Sequence, residues 1–557
     1  MTARGRSAPT LGWLRGYSRA WGRADLIAGL TTAAVVIPKA MAYAAIAGLP
    51  LQVGLYTALV PMVVYAVLGT SRPLSVSTTT TIAILSAAAL GEVVGTQGPE
   101  TLMAAAATLA LLVGAMLLVA FIFRLGFVAN FISEPVLTGF KAGIGLVIVV
   151  DQLPKVLGIH FDKGGFFQNV IAVLRHVPEA SVPTVVLAGV TLLLIVGLER
   201  FLPRVPAPLV AVGIGILGVA ALGLERLGVT TVGLVPSSLP GFTPPDLSFA
   251  IALWPAALGI ALMSFTETIA AGRAFRGAGE PRPAANTELL AVGAANVAGG
   301  LFGAMPAGGG TSQTAVNRRA GARTQAAELV TAAAAMATLL VLAPVIGLMP
   351  EATLGAVVIA YSVGLISVKE FRDILRVRTI EFRWALVAFG GVVLLGTLRG
   401  ILVAVIMSLG AIMRQANDPP VYVLGRKRGR DVFRPLSPEQ PDDETFPGLL
   451  LLRTVGRMYF ANVQRVGDKM WPLIDEAKPS VVVLDCSAVI DFEYTALKAL
   501  IEAEQQLRAA GISLWIAALN PEARRVVEQS PLGHTLGRER MCFNLQDAVE
   551  RYQRTVG

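Results

Sequence analysis

Between two long apolar segments the chain reads MPAGGGTSQTAVN, Met305 to Asn317. Three consecutive glycines followed by hydroxyl and amide side chains neither favour a helix nor dissolve in lipid. An earlier stretch has the same character: RPLSVSTTTTIAIL, Arg72 to Leu85, sets a proline and a run of small hydroxyl residues ahead of a short apolar segment. Irregular backbone is tolerated inside a bilayer only where protein or a watery cavity covers it, because each unpaired amide costs several kcal/mol. These two interruptions are therefore expected to face a cavity. Where a short helix restarts there, its first amides lack partners and its dipole adds partial positive charge, so the end attracts anions. The backbone at Gly310, with Thr311, Ser312 and Gln313 on one side and Ser77, Thr78, Thr79 and Thr80 on the other, supplies neutral donors for such a seat.

Composition places these stretches in a membrane. The 557 residues are 54% hydrophobic and only 15% charged, with mean hydropathy +0.66, which is too apolar for a soluble chain of this length. A span needs roughly 20 apolar residues, so the apolar region from 25 to 417 accommodates about 14 passes. The basic lead-in (Arg4, Arg6, Arg15, Arg19, Arg23) runs into a first apolar stretch of membrane length, and basic residues recur after the last (Arg426, Lys427, Arg428, Arg430). No cleavable signal is read there, and the positive-inside rule puts both termini in the cytoplasm. The net charge of +9 follows from this topology; the basic residues are not interleaved with aromatics, so nucleic acid is not expected as a partner.

The apolar region divides near Leu224 into halves of similar plan. Each opens on a span carrying one charge near its middle, Lys39 or Glu267, with its interruption about 40 to 45 residues later. Matched interruptions point to a transporter built from inverted repeats, here about 25–224 and 248–417. Lys39 lies about 20 Å along the helix axis from Asp25, too deep to reach an interface easily. Buried ionisable groups cost at least about 3 kcal/mol on insertion scales and mark function. Lys39 is expected to add charge to the anion seat, and Glu267 to bind a coupling ion, H+ or Na+, or to orient Lys39.

After residue 417 the composition changes. Residues 418–445 read as a linker, and 446–557 alternate short β-branched runs with amphipathic helices, the pattern of an α/β domain. The two cysteines, Cys486 and Cys542, and three histidines show no metal-ligand spacing. No metal site, cofactor or ATP-binding loop is expected, and no catalytic triad pattern points to an enzyme.

The ordered set AGLTTAAVVIPKAMAYAAIAGLPLQVGLYTALVPMVVYAVLGTSRPLSVS, FISEPVLTGFKAGIG and AVNRRAGARTQ closely resembles the sulfate permease (SulP) family of anion transporters. YFANV with VVVLDCSAVIDFEYTALKAL resembles the cytoplasmic STAS domain that usually ends such chains. The resemblance implies a polytopic α-helical membrane protein of two inverted seven-span repeats in the uracil-permease arrangement, a core domain moving against a gate domain, with residues 1–24 as a cytoplasmic segment. It implies an anion site at Lys39, Tyr43, Thr79, Ser312 and Gln313. Many members place Gln where this chain has Lys39 and Arg where it has Gln313, so the positive charge has moved. Sulfate, bicarbonate, chloride, nitrate and small dicarboxylates all remain open as substrates. Secondary active transport is the leading expectation, with sodium-coupled bicarbonate uptake or an uncoupled anion channel as alternatives. A bacterial inner-membrane location and a homodimer are the expected setting. In related soluble domains a Ser or Thr at a helix start accepts phosphate; counted from Asp485 and Ser487 that position is Thr495, where the acidic loop DFEY favours a structural role.

Overall fold

The computed structural model describes residues 17–556 and, before them, Leu11, Trp13 and Leu14; residues 96–97, 131–132, 162–163, 203–204, 234, 278–279 and most of 397–415 lie outside the description. Arg4, Arg6 and Arg15 of the basic lead-in, and most of the last expected span, therefore fall outside it. The chain forms two compact units, residues 1–408 and 409–557.

The first unit is helical. Its first half runs α1 (Arg19–Ile46), α2 (Leu51–Leu68), the short strand β1 (Val76–Ser77), α3 (Thr80–Val94), α4 (Pro99–Ile122), α5 (Glu134–Leu157), α6 (Phe166–His176), α7 (Val182–Phe201) and α8 (Ala207–Leu222). Its second half repeats the order: α9 (Ala250–Ala274), α10 (Ala285–Leu301), strand β2 (Gly308–Gly309), α11 (Thr311–Arg319), α12 (Ala326–Val341), the short α13 (Ala343–Gly347), α14 (Glu351–Val363), α15 (Val368–Val377) and α16 (Thr379–Leu395). Among the described residues seven helical stretches are long and apolar enough to cross a membrane, and α3, α8 and α12 are shorter apolar helices. The amphipathic α6 and α15 occupy matching places in the two halves.

Packing sorts these helices into two bundles. One gathers α1, α2, α3, α4, α9, α10, α11 and α12; the other gathers α5, α7, α8, α14 and α16. Within the first, α1 and α2 touch backbone to backbone: a Cβ at Gly54 would stand 2.1 Å from the Ala40 carbonyl oxygen. Only glycine permits that approach. It holds the turn of α1 that carries Lys39.

The second unit is a six-stranded sheet in the order β10-β9-β7-β5-β3-β4, with β5 (Leu449–Thr454), β7 (Val481–Asp485), β9 (Ser513–Ala517) and β10 (Met541–Cys542) parallel. The run LLLL at the start of β5 is buried on both faces. Leu450 and Leu452 pack with Val466, Leu497 and Leu507 on one side, while Leu449 and Leu451 pack with Val549 and Tyr552 on the other. An uninterrupted apolar run is what a strand covered on both faces requires. The expected linker at 418–445 is corrected here. It contains β3 (Val421–Arg426) and β4 (Phe433–Pro435), and β3 pairs antiparallel with β5. Its charges concealed this, because they serve as edge ion pairs: Arg434 bonds Asp443 at 2.8 Å and Arg426 bonds Glu444 at 2.7 Å.

Candidate functional site

The two interrupted segments meet. β1 and β2 form an antiparallel ribbon of two residues each, Val76 opposite Gly309 and Ser77 opposite Gly308. One strand comes from each half, and α3 and α11 start immediately after them. A Cβ at Gly309 would lie 2.7 Å from Thr268 Cα on α9, and one at Gly308 would lie 2.8 Å from Ser264 Oγ. The glycines thus let the ribbon lie against α9. Its polar backbone is satisfied from the neighbouring helices: Gly309 N donates to Thr268 Oγ1 at 2.8 Å, Ser264 Oγ donates to Ala307 O at 2.7 Å, and Asn296 Oδ1 accepts from Ala307 N at 2.8 Å. A strand of this length persists inside a helical protein only with such side-chain support.

Around the ribbon the expected residues divide by role. Gln313 is buried, and its Nε2 donates to Ser77 Oγ at 3.0 Å and to Ser75 O at 3.1 Å, tying α11 to β1. Thr78 Oγ1 donates to Pro306 O at 2.7 Å, tying β1 back to the approach of β2. These three residues, Ser77, Thr78 and Gln313, spend their polar atoms on the frame. Facing outward from it are Lys39, Tyr43, Thr80, Thr311 and Ser312. Lys39 is 4% exposed; its Nζ donates to Ser312 Oγ at 2.9 Å and lies 4.2 Å from the ring centre of Tyr361. Thr80 Oγ1 donates to Tyr43 OH at 3.0 Å. Thr311 and Ser312, the first residues of α11, are exposed.

The two helix starts differ. Thr79 caps α3, accepting from Ile82 N at 3.3 Å, and its hydroxyl donates to Glu267 Oε2 at 2.8 Å. A carboxylate therefore already lies at the electropositive end of α3. Gly310 caps α11 and brings no side-chain acceptor to it. The free helix start and Lys39 are on the same side. Sequence reasoning expected two equivalent ends and allowed Lys39 and Glu267 to be partners. Instead, each charge engages the opposite interruption's helix start, and among the described residues no ion pair joins them. Tyr361, the cation–π partner of Lys39, had no signal in the sequence, since an isolated tyrosine in an apolar span reads as packing.

In the second unit Thr495 is exposed at the start of α18 (Tyr494–Ala509; the preceding helix of this unit is α17, Val463–Ala477). Glu493 caps that helix, accepting from Thr495 N and Thr495 Oγ1, both at 3.2 Å. The place where an added phosphate would be stabilised already holds a carboxylate. Asp485 is buried in an ion pair with Arg453 at 2.6 Å and accepts from Ser487 N at 2.9 Å. Burial holds the Cys486 thiol far above its usual range and pushes Cys542 up to about 11. Neither is poised as a nucleophile at neutral pH.

Known proteins share both units. Residues 23–388 match the profile of the sulfate permease family, and residues 440–548 match the STAS domain. A probable sulfate transporter of Mycobacterium tuberculosis is 34% identical over 551 residues, covering 98% of both chains. Sulfate transporter 2.1 of Arabidopsis thaliana is 31% identical, over 92% of this chain and 80% of its own. Among solved structures, the murine Solute Carrier 26 family member A9 anion transporter in the inward-facing state superposes with a TM-score of 0.91 at 20% identity, covering 100% of this chain and 96% of its own. The transmembrane domain of a cyanobacterium bicarbonate transporter superposes with a TM-score of 0.62 at 22% identity, over 70% of this chain and 97% of its own. At these identities the two superpositions speak to fold.

Proposed function

The chain belongs to the sulfate permease family, a family of integral membrane transporters rather than enzymes, and from that premise we propose that it carries sulfate with a proton by alternating access. The relatives named as sulfate transporters support the choice of anion. The observation that carries the reading is the Lys39 Nζ–Ser312 Oγ contact at the uncapped start of α11. An oxyanion placed there meets a cation, a hydroxyl and free backbone amides. A hydrogen bond to a charged group contributes about 1.5–3 kcal/mol, and a helix start adds about 0.3–1 kcal/mol, up to about 2 where partly buried. Lysine therefore dominates, and the backbone orients. Tyr43 and Thr80 complete the wall from α1 and α3.

The proton enters through Glu267. An ionised Glu267 beside Thr79 repels an anion approaching α3, so the anion is best held when Glu267 is neutral. Binding of each then favours binding of the other. The bundle containing α1, α3, α9 and α11 carries both groups and is the part that moves, against the bundle of α5, α7, α8, α14 and α16, with both termini cytoplasmic.

The test is uptake of radiolabelled sulfate by proteoliposomes, with pH and sodium gradients imposed separately. An acid exterior should accelerate uptake and sodium should not. Uptake that requires sodium, or currents without stoichiometric proton movement, would replace this reading with sodium coupling or with a channel.

A further inference from the structure

Three carboxylates are buried near helix starts in the first bundle: Asp25 on α1, Glu288 on α10 and Glu328 on α12, each at most 1% exposed. Two are fully served by donors. Asp25 accepts from Arg323 N at 2.7 Å, Thr324 N at 3.1 Å and Thr324 Oγ1 at 2.6 Å. Glu288 accepts from Tyr65 OH at 2.8 Å, Thr70 N at 3.0 Å and Thr70 Oγ1. Glu328 differs: Oε1 accepts from Asn317 Nδ2 at 2.9 Å, and Oε2 has no partner among the described residues.

Two further buried atoms beside it are also unpartnered, Gln325 Oε1 and Ser75 Oγ. Gln325 is the residue that caps α12, three positions before Glu328. Its Nε2 is committed to the carbonyls of Ser71 (2.8 Å), Arg72 (3.1 Å) and Leu74 (2.8 Å), which fixes the amide and turns Oε1 away from them. Ser75 follows Leu74 directly, and the Asn317 amide that holds Glu328 also donates to Pro73 O at 3.1 Å. All three unpartnered atoms therefore surround the segment 71–75. Two are acceptors only, and the serine hydroxyl has one proton to give. The cluster is one donor short, and a proton on Glu328 Oε2 supplies it.

No cation does so. Among the described residues Glu328 has no ion pair; Arg318 is taken by Glu280 at 3.0 Å, Arg72 lies 5.9 Å from the Trp21 ring, and Lys39 is on Ser312. The charged and titratable groups on the elements beside it are Asp25 and Lys39 from α1, Tyr65 from α2, Glu288 from α10, Arg318 and Arg319 from α11, and Arg72 and Arg323 from the loops; enclosure of an unpaired carboxylate away from water disfavours its charged form. We propose that Glu328 is a proton-binding site, neutral at pH 7, whose acid hydrogen is shared within this buried cluster. It is separate from Glu267, and it is linked to the anion seat through α11. That helix carries Ser312 at its start, and near its end Asn317, the donor to Glu328 Oε1, which also accepts from Thr32 Oγ1 at 3.3 Å. The proposal rests on the membership of these side chains in one buried cluster; the linkage clause alone rests on the transport reading above.

The experiment is infrared difference spectroscopy of the purified full-length protein at pH 7, wild type against Glu328→Gln. The wild type should show a carboxylic-acid carbonyl stretch that shifts in D2O, is absent from Glu328→Gln and persists in Glu267→Gln, which separates this site from the one proposed for coupling. A difference spectrum that loses carboxylate bands and no acid carbonyl overturns the proposal. So does conversion of the acid band to carboxylate on adding sodium at constant pH, which would make the cluster a metal-cation site. Should Glu328→Gln not fold, Glu328→Ala reports the same loss or retention of the acid carbonyl, because the band assignment does not depend on what replaces the acid.

Discussion

Glu267 hydrogen-bonds Thr79 at 2.8 Å and so faces the α3 start, while Lys39 serves the α11 start. The two buried charges thus serve opposite helix starts, and among the described residues no ion pair joins them. Replacing Glu267 by Gln should keep the Thr79 contact and remove the ionisation. Sulfate uptake should then lose its response to an imposed pH gradient. The comparison to make is initial rate with acid outside against symmetrical pH; an undiminished acid stimulation would remove Glu267 from coupling.

Lys39→Gln should lower sulfate uptake by about ten- to a hundredfold, the equivalent of about 1.5–3 kcal/mol for a lost charge-assisted hydrogen bond. Lys39→Arg should retain part of it, because charge survives but the planar fork fits a single serine hydroxyl poorly. Equilibrium binding by calorimetry distinguishes this from a folding defect.

Gly309→Ala should destabilise the membrane unit by about 1–3 kcal/mol, because the added Cβ meets the α9 backbone at 2.7 Å, which cannot rotate away. Gly310→Ala meets only the Gln313 side chain and should be milder for stability while disturbing the Gln313–Ser77 bond. Thermal melting followed by size-exclusion recovery ranks the two; equal losses would mean that the ribbon's seat on α9 is not the constraint.

The Arg434 guanidinium beside Asp443 holds that carboxyl below its usual range. A carboxyl lowered on folding contributes stability that is present above its unfolded value, about 3.9, and is lost as pH falls through the lower folded value. Asp443→Asn should therefore weaken the β3–β4 edge at neutral pH and make it less sensitive to acid below about pH 4. Hydrogen exchange of residues 421–435 at pH 7 and at about pH 3, below the unfolded carboxyl value, reads both effects.

Much of this was legible in the chain. The greasy composition, the paired interruptions and the isolated Lys39 and Glu267 announce a helical transporter with broken spans, because lipid penalises each of those features unless it has a use. The partners of those charges were not legible. Which helix start Glu267 faces depends on how α9 packs against α3, and that is set by contacts such as Gly309 on Thr268, not by local pattern. Asp25, Glu288 and Glu328 escape a sequence reading for a similar reason. Near the beginning of an apolar segment an acid reads as the edge of the membrane, and only tertiary packing reveals that it is enclosed. The strands β3 and β4 were hidden by their charges, which look like a linker until Arg426 and Arg434 find Glu444 and Asp443 across the sheet edge.

The pairing of Val76 with Gly309 and Ser77 with Gly308 has a consequence for assembly. Neither half of the chain can build its strand alone, since each supplies the other's only ribbon partner. Fragments severed between α8 and α9 should accordingly regain a working site only when both are made in the same cell.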